Sequence, residues 1–237
     1  MIVMDLEWNR SYDKKRLDEI LQIGAVRVAA PCGVILSTFN MFIKPRVHKR
    51  FDPGARKLPD LQCSIDCDVD FPTAWAAFTD WCGDERVFAF WGPDDFSVIQ
   101  QNCAFWGVSP IEPERVFNFQ RAFGHACGTS TQLALWRVAD YLNIPTVFDF
   151  HNALYDAMYT ALVGAWLQPE DLDFAPSKKH SRPRHRRRLA SHPAAQSAET
   201  RPAVPKQAEP APRKKRRRRN RRRKKPAAGA TASQNKA

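Results

Sequence analysis

Four apolar residues, Met1 to Met4, open the chain, and beyond them charge alternates with bulk through Asp5, Leu6, Glu7 and Trp8. An apolar run without a turn residue predicts a short buried strand. Successive side chains on a strand point to opposite faces, so Asp5 and Glu7 share one face at the strand's end. Residues 20–30 (ILQIGAVRVAA) are apolar and β-branched and predict a second strand. Pro31, Cys32 and Gly33 then turn the chain, and 34–45 (VILSTFNMFIKP) predicts a third strand ended by Pro45. Three early strands joined by turns predict a meander. Residues 46–70 show no clear period and predict a loop crossing with room for a short helix.

From Pro72 the period changes. Trp75, Phe78 and Trp81 or Cys82 recur at helical spacing, Gly83 and Asp84 end that helix, and 86–92 (RVFAFWG) predicts a short buried strand stopped at Gly92-Pro93. A helix then opens at Asp94-Asp95, where two acids meet the positive end of the helix dipole. Another is predicted over 130–144, capped by Thr129 or Ser130, with Leu133, Trp136, Val138 and Leu142 towards its buried side. The last covers 153–167 behind Asn152 as N-cap. Strands first, then helix, strand and helices, predict a mixed α/β domain around a central sheet. No internal repeat is visible.

Composition divides this picture near residue 174. Residues 1–174 carry 15 Lys or Arg against 23 Asp or Glu, net −8, while 175–237 carry 22 against 2, net +20, so the overall +12 describes neither part. All 15 Phe, 7 Trp and 4 Tyr fall in the first part, which is long enough to bury a core. The second has no aromatic residue and cannot bury enough apolar surface to offset the entropy of ordering. We therefore expect a folded domain over 1–172 and a disordered Lys/Arg/Pro/Ala-rich tail over 173–237. Within the tail, RPRHRRR (182–188) and RKKRRRRNRRRKK (213–225) suit a tether on the phosphate backbone of nucleic acid, with steep salt dependence.

No basic segment precedes an apolar stretch at the N-terminus, and no run of eighteen apolar residues occurs. The expectation is a soluble, cytoplasmic protein without membrane contact. Six cysteines lack metal-ligand spacing and are expected to be reduced.

Three stretches place acids or a histidine where an apolar element begins or ends: Asp5-Leu6-Glu7, Trp91-Gly-Pro-Asp-Asp95, and His151 to Asp156 across the start of the last helix. Each alone is a common pattern. Together, if the sheet gathers them, they make a cluster of four carboxylates, in which each negative charge raises the cost of ionising the next. Divalent cations relieve that cost, and all-oxygen ligation with retained waters is what Mg²⁺ or Mn²⁺ prefers.

As a set these residues resemble the DEDDh 3′-5′ exonucleases of the DnaQ-like group. That family carries D-x-E on its first strand, a lone Asp after the middle strand and H-x-x-x-x-D on a late helix, on an RNase H-like fold. The matches here are Asp5 and Glu7, then Asp95, then His151 and Asp156; the family's W-G-x-x-D spacing selects Asp95 over Asp94. ILQIGAV and WGPDD look most like the branch of RNA 3′-end trimming exonucleases. The resemblance covers about residues 1–168. It implies a mixed central sheet flanked by helices and two Mg²⁺ or Mn²⁺ ions on Asp5, Glu7, Asp95 and Asp156. It also implies His151 as general base, imidazole being the side chain whose charge changes near neutral pH. The implied reaction releases nucleoside 5′-monophosphates from single-stranded RNA 3′ ends. A DNA-directed exonuclease and a non-cleaving nucleic-acid-binding protein are the alternatives. Two departures stand out: Trp8 and Asn9 follow Glu7 where many members have Thr, and Gln22 replaces a common Glu.

Overall fold

The computed structural model describes residues 1–11, 16–29 and 33–172. The expected basic tail lies outside them, as does Cys32. Three strands, β1 (Ile2–Asn9), β2 (Glu19–Ala29) and β3 (Val34–Phe42), form the predicted antiparallel meander. The crossing that follows holds a 3₁₀ turn (Ala55–Lys57) and a short helix α1 (Leu61–Asp66) before α2 (Phe71–Cys82). Next come β4 (Val87–Phe90), α3 (Asp95–Trp106), β5 (Arg115–Asn118), α4 (Phe119–Ala126), α5 (Leu135–Tyr141), α6 (Ala153–Gly164) and α7 (Pro169–Leu172). The sheet runs β3-β2-β1-β4-β5, with β4 and β5 parallel to β1.

Helix and strand signals are satisfied locally. Asp70 caps α2 by accepting the Thr73 N–H at 3.0 Å, and Gly83, at φ +55°, ends it. One sheet face buries Ile2, Met4, Leu6, Ile23, Phe88 and Phe90 against Trp75 and Phe78 of α2 and Val98 and Ile99 of α3. The other buries Val3, Val26 and Ala89 against α4, α5 and α6. Each fully buried Phe or Ile here contributes roughly 1.5–3 kcal/mol of transfer free energy. The even residues of β1 thus face α2 and α3, while Asp5 and Glu7 continue the face of Val3, towards α6.

Two expectations are corrected, and one interval without a prediction is filled. Asp5 and Glu7 do not end their strand, because β1 continues to Asn9 by pairing with β2; it is the pairing with β4 that stops, at Val3 opposite Ala89. The helix predicted over 130–144 begins only at Leu135. The Leu133 carbonyl is already taken by the indole N–H of Trp91 (3.1 Å) and the amide of Gln120 (2.8 Å), which holds the preceding segment out of the helix. Two elements, β5 and α4, fill an interval for which the hydrophobic pattern predicts nothing. Among the described residues no helix is long and apolar enough to cross a membrane.

Candidate active site

Once β4 leaves β1, the Leu6 N–H is free of strand pairing on that side. It favours the ionised carboxylate of Asp95, the first residue of α3. Asp95 is 5% exposed, whereas Asp94 sits exposed at the N-cap position without making a side-chain cap.

Helix α6 brings the last acid. Its N-terminus is seated on Gly24, the residue of β2 opposite Asp5: a Cβ at Gly24 would stand 2.1 Å from both the Ala153 carbonyl carbon and the Leu154 nitrogen. Glycine alone allows that approach. The amide N–H groups at the start of α6 are satisfied in turn. Ala153 donates to the Gln22 side-chain oxygen (3.1 Å), while Leu154 and Tyr155 donate to Asn152 (3.0 and 3.3 Å). Asn152 is itself held by Asp60 at 2.6 Å, and Gln22 by Asn40 at 2.9 Å. Gln22, one of the two sequence departures, is therefore part of the seat of α6.

Within this frame Asp156 is 8% exposed, and one of its oxygens accepts the His151 backbone N–H at 3.0 Å. His151 lies at φ +68°, a left-handed conformation that costs a non-glycine residue roughly 1–3 kcal/mol and concentrates at functional sites. Ligand atoms of Glu7, His151 and Asp156 lie within 4.8 Å of one another. Burial raises every acid of the group. It lifts Asp5 well above the carboxylate range, with the charges of Asp95, Asp156 and Glu7 adding to it. Glu7 is pushed to about 8 by burial and then by Asp156 and Asp95. Asp156 goes to about 7 and Asp95 to about 6, burial again being the main cause, opposed by their backbone hydrogen bonds.

Two buried oxygens of this cluster, Oδ1 of Asp95 and Oδ1 of Asp156, have no hydrogen-bond partner. Buried carboxylate oxygens are rarely left so. Together with the mutual repulsion, they fit a site for divalent cations, whose oxygen-only coordination these four side chains supply. All five predicted site residues are thus gathered where α3 and α6 begin, beside β1.

A pocket of about 400 Å³ opens beside the cluster, lined by Glu7, Trp8, Arg10, Asp52, Lys57 and His151 among others. A one-residue slip in the β1–β2 register falls between Glu7 and Trp8, and both residues line the pocket. Its far wall is tied to β1 by Asn9, 1% exposed, which accepts the Asp52 N–H (2.8 Å) and donates to the Arg50 carbonyl (3.0 Å). Asp52 accepts from the N–H groups of Arg10 and Gly54 at 2.8 and 2.7 Å. Glu19, buried, accepts three successive N–H groups from Arg46, Val47 and His48 at 2.5, 2.7 and 3.0 Å. Sequence reasoning missed Glu19 and Asp52, and noted Asn9 only as a departure from the family pattern. The polar pair Asn9 and Glu19, opposite each other where β1 and β2 meet, is the one faint signal.

The sequence matches a protein-family model, that of the exonucleases, over residues 2–163. Among curated proteins no sequence matches. Among solved structures the chain is similar to cell-death related nuclease 4 (18% identity, TM-score 0.59), over 70% of this chain and 62% of that one. It thus spans less than two thirds of that nuclease. It is also similar to the nuclease domain of 3′hExo, a DEDDh family member bound to rAMP (16% identity, TM-score 0.61), over 70% and 89% of the two chains. A third, similar at 16% identity and TM-score 0.61, is a 3′-exonuclease described in 3′-end recognition of the histone mRNA stem-loop; 70% of this chain and 62% of that one are covered. At such identities the likeness is one of fold, the RNase H-like exonuclease fold expected above.

Proposed function

The chain belongs to the exonuclease family, and from that premise we propose that it removes nucleotides from single-stranded RNA 3′ ends in a metal-dependent 3′-5′ reaction, releasing nucleoside 5′-monophosphates. The observation that carries the reading is the buried carboxylate cluster with two unpartnered oxygens, set against His151 and an open pocket. A cluster of four acids beside a polyanion serves a pure binding protein poorly, whereas it serves hydrolysis of a phosphodiester well.

Asp5, Glu7, Asp95 and Asp156 would hold two Mg²⁺ or Mn²⁺ ions. Bound there, the ions supply an activated water and stabilise charge on the scissile phosphate and the leaving 3′ oxygen. His151, exposed at the rim, takes the proton of the attacking water. The pocket beside Glu7 and His151 receives the terminal nucleoside, with Arg10 and Lys57 as its cations. RNA rather than DNA is favoured by the relatives, one solved with rAMP and one described in histone mRNA recognition.

The folded domain over 1–172 works with residues 173–237 as a phosphate-backbone tether, which raises substrate concentration near an otherwise acidic domain. A cytoplasmic setting suits the free cysteines at 63, 67, 82, 103 and 127. The test is a gel assay on 5′-labelled RNA and DNA of one sequence, with Mn²⁺, Mg²⁺ or EDTA, beside Asp5→Asn. A metal-dependent ladder shortening from the 3′ end, faster on RNA and absent in the variant, is expected. A retarded band without shortening under every condition would replace this reading by the binding protein, and faster DNA cleavage by the DNA-directed enzyme.

A further inference from the structure

We propose that a second cavity, of about 490 Å³ on the β4–β5 side of the carboxylates, binds the phosphate–sugar backbone of the substrate strand 5′ of the scissile bond. The inference rests on the exonuclease reading for its substrate.

Topology comes first. β1, β4 and β5 are parallel and neighbours in the sheet, so their carboxyl ends share one edge. Ligands of open α/β sheets bind outside such an edge. The terminal pocket lies beyond β1, and the carboxylates lie between β1 and the start of α3. The cavity borders Pro93, beyond β4 and two residues before Asp95, and Asn118, which ends β5. Pocket, carboxylates and cavity therefore follow one another in sheet order. A strand whose last nucleotide fills the first passes over the second and continues into the third.

The lining has the chemistry of a backbone site. Arg121 and His125 stand one turn apart on α4, both exposed, and face Thr129 to Gln132, which supply hydroxyls and an amide. No acid lines the cavity, although the first 174 residues carry a net −8. No Phe, Tyr or Trp lines it and His125 is its one ring, so phosphate and sugar contacts outweigh stacking there.

Its walls are fixed before any ligand arrives. Asn118 caps α4 through the Arg121 N–H (2.9 Å), and Gln120 is anchored to the Leu133 carbonyl. At Gly124 a Cβ would stand 3.0 Å from the Thr129 carbonyl oxygen, so glycine lets the loop lie against the helix. The Thr131 N–H donates to the Thr129 hydroxyl at 3.1 Å and closes that loop on itself. Such preorganisation lowers the entropic cost of holding a flexible strand.

The test compares two substrates in the full chain carrying Arg121→Gln or His125→Gln. One is the p-nitrophenyl ester of thymidine 5′-monophosphate, a single nucleotide; the other is a 5′-labelled single-stranded RNA several nucleotides long. Loss of one backbone contact should raise KM for the RNA, about tenfold for the charge-assisted contact of Arg121, with kcat unchanged. In Arg121→Gln, which removes a fixed charge, the slope of log KM against log salt should also fall by about 0.7, while ester turnover stays within about twofold in both variants. Equal losses on both substrates, or no change from either substitution, would overturn the proposal. Should the wild-type chain bind RNA yet cleave neither substrate, the exonuclease reading fails separately. RNA anisotropy in EDTA at one fixed, moderate salt concentration for wild type and variants then decides: weaker binding by either variant supports the cavity and unchanged binding removes it.

Discussion

One carboxylate oxygen of Asp156 accepts the backbone N–H of His151 at 3.0 Å, while the other, buried, has no partner. A single side chain thus fixes the backbone of the histidine and leaves an oxygen free within the acidic cluster. The two residues should fail in different ways. Asp156→Asn retains an acceptor for the His151 N–H but removes the charge, so hydrolysis should disappear with the fold intact. His151→Ala leaves the carboxylates in place and should lower kcat by about 10²–10⁴, the usual contribution of a general base. Isothermal titration with Mn²⁺ separates them: affinity should fall in Asp156→Asn and persist in His151→Ala.

The raised carboxylates make stability of the metal-free chain depend on pH with an unusual sign. In the unfolded chain these groups ionise near 4, whereas in the fold Asp95, Asp156 and Glu7 hold their protons to about 6, 7 and 8. Between pH 4 and 8 the folded state therefore binds more protons than the unfolded one, and stability falls as pH rises. Thermal unfolding in EDTA should show Tm dropping by about 5 °C or more between pH 5 and 8. Saturating Mn²⁺ should recover it at pH 8 and do little at pH 5, since the ion binds the ionised form. A metal-free Tm that rises over this interval would contradict the burial of the cluster.

What the sequence disclosed is what neighbouring residues decide. Alternation through Asp5 and Glu7, the acid at the head of α3 and the Asn152 cap are all written within a few positions, and only the end of β1, which runs past Glu7 to Asn9, differs from the expectation. Glu19 is different: its partners are backbone N–H groups 27 to 29 residues away, and no local pattern distinguishes it from a solvated acid. The late start of α5 has the same origin, since the carbonyl of Leu133 is claimed by Trp91, 42 residues earlier. Gln22 lay between these cases. Its departure from the resembling family was visible, but its partner Ala153, 131 residues away, was not.

That contact makes Gln22 a positioning residue with a specific signature. Gln22→Leu leaves the buried Ala153 N–H without an acceptor, which costs about 1–3 kcal/mol and loosens the seat of Asp156. Gln22→Glu keeps an acceptor, and Asn40 can present its amide in place of its oxygen. Steady-state kinetics should show kcat reduced about tenfold with little change in KM for Gln22→Leu, and near wild-type values for Gln22→Glu. Equal impairment of both variants would assign the effect to charge or volume rather than to the lost acceptor.

Trp8 stands where many members of the resembling family have Thr, and its ring lines the pocket beside Glu7 with the Arg10 guanidinium 5.7 Å from the ring centre. A half-buried indole offers the terminal base a stacking face, which is worth roughly 1–3 kcal/mol per base. Trp8 also packs against the core beneath α2 and α3, so loss of activity in Trp8→Ala would by itself say little. The discriminating measurement removes the base as well as the ring. On RNA with an ordinary 3′ nucleotide, Trp8→Ala should lower kcat/KM about tenfold; on the same RNA with an abasic 3′ residue it should change little. Trp8→Phe should keep most of the base-dependent rate. A loss of equal size on the two substrates would mean that Trp8 supports the fold alone, because a stacking partner must couple to the base it stacks on.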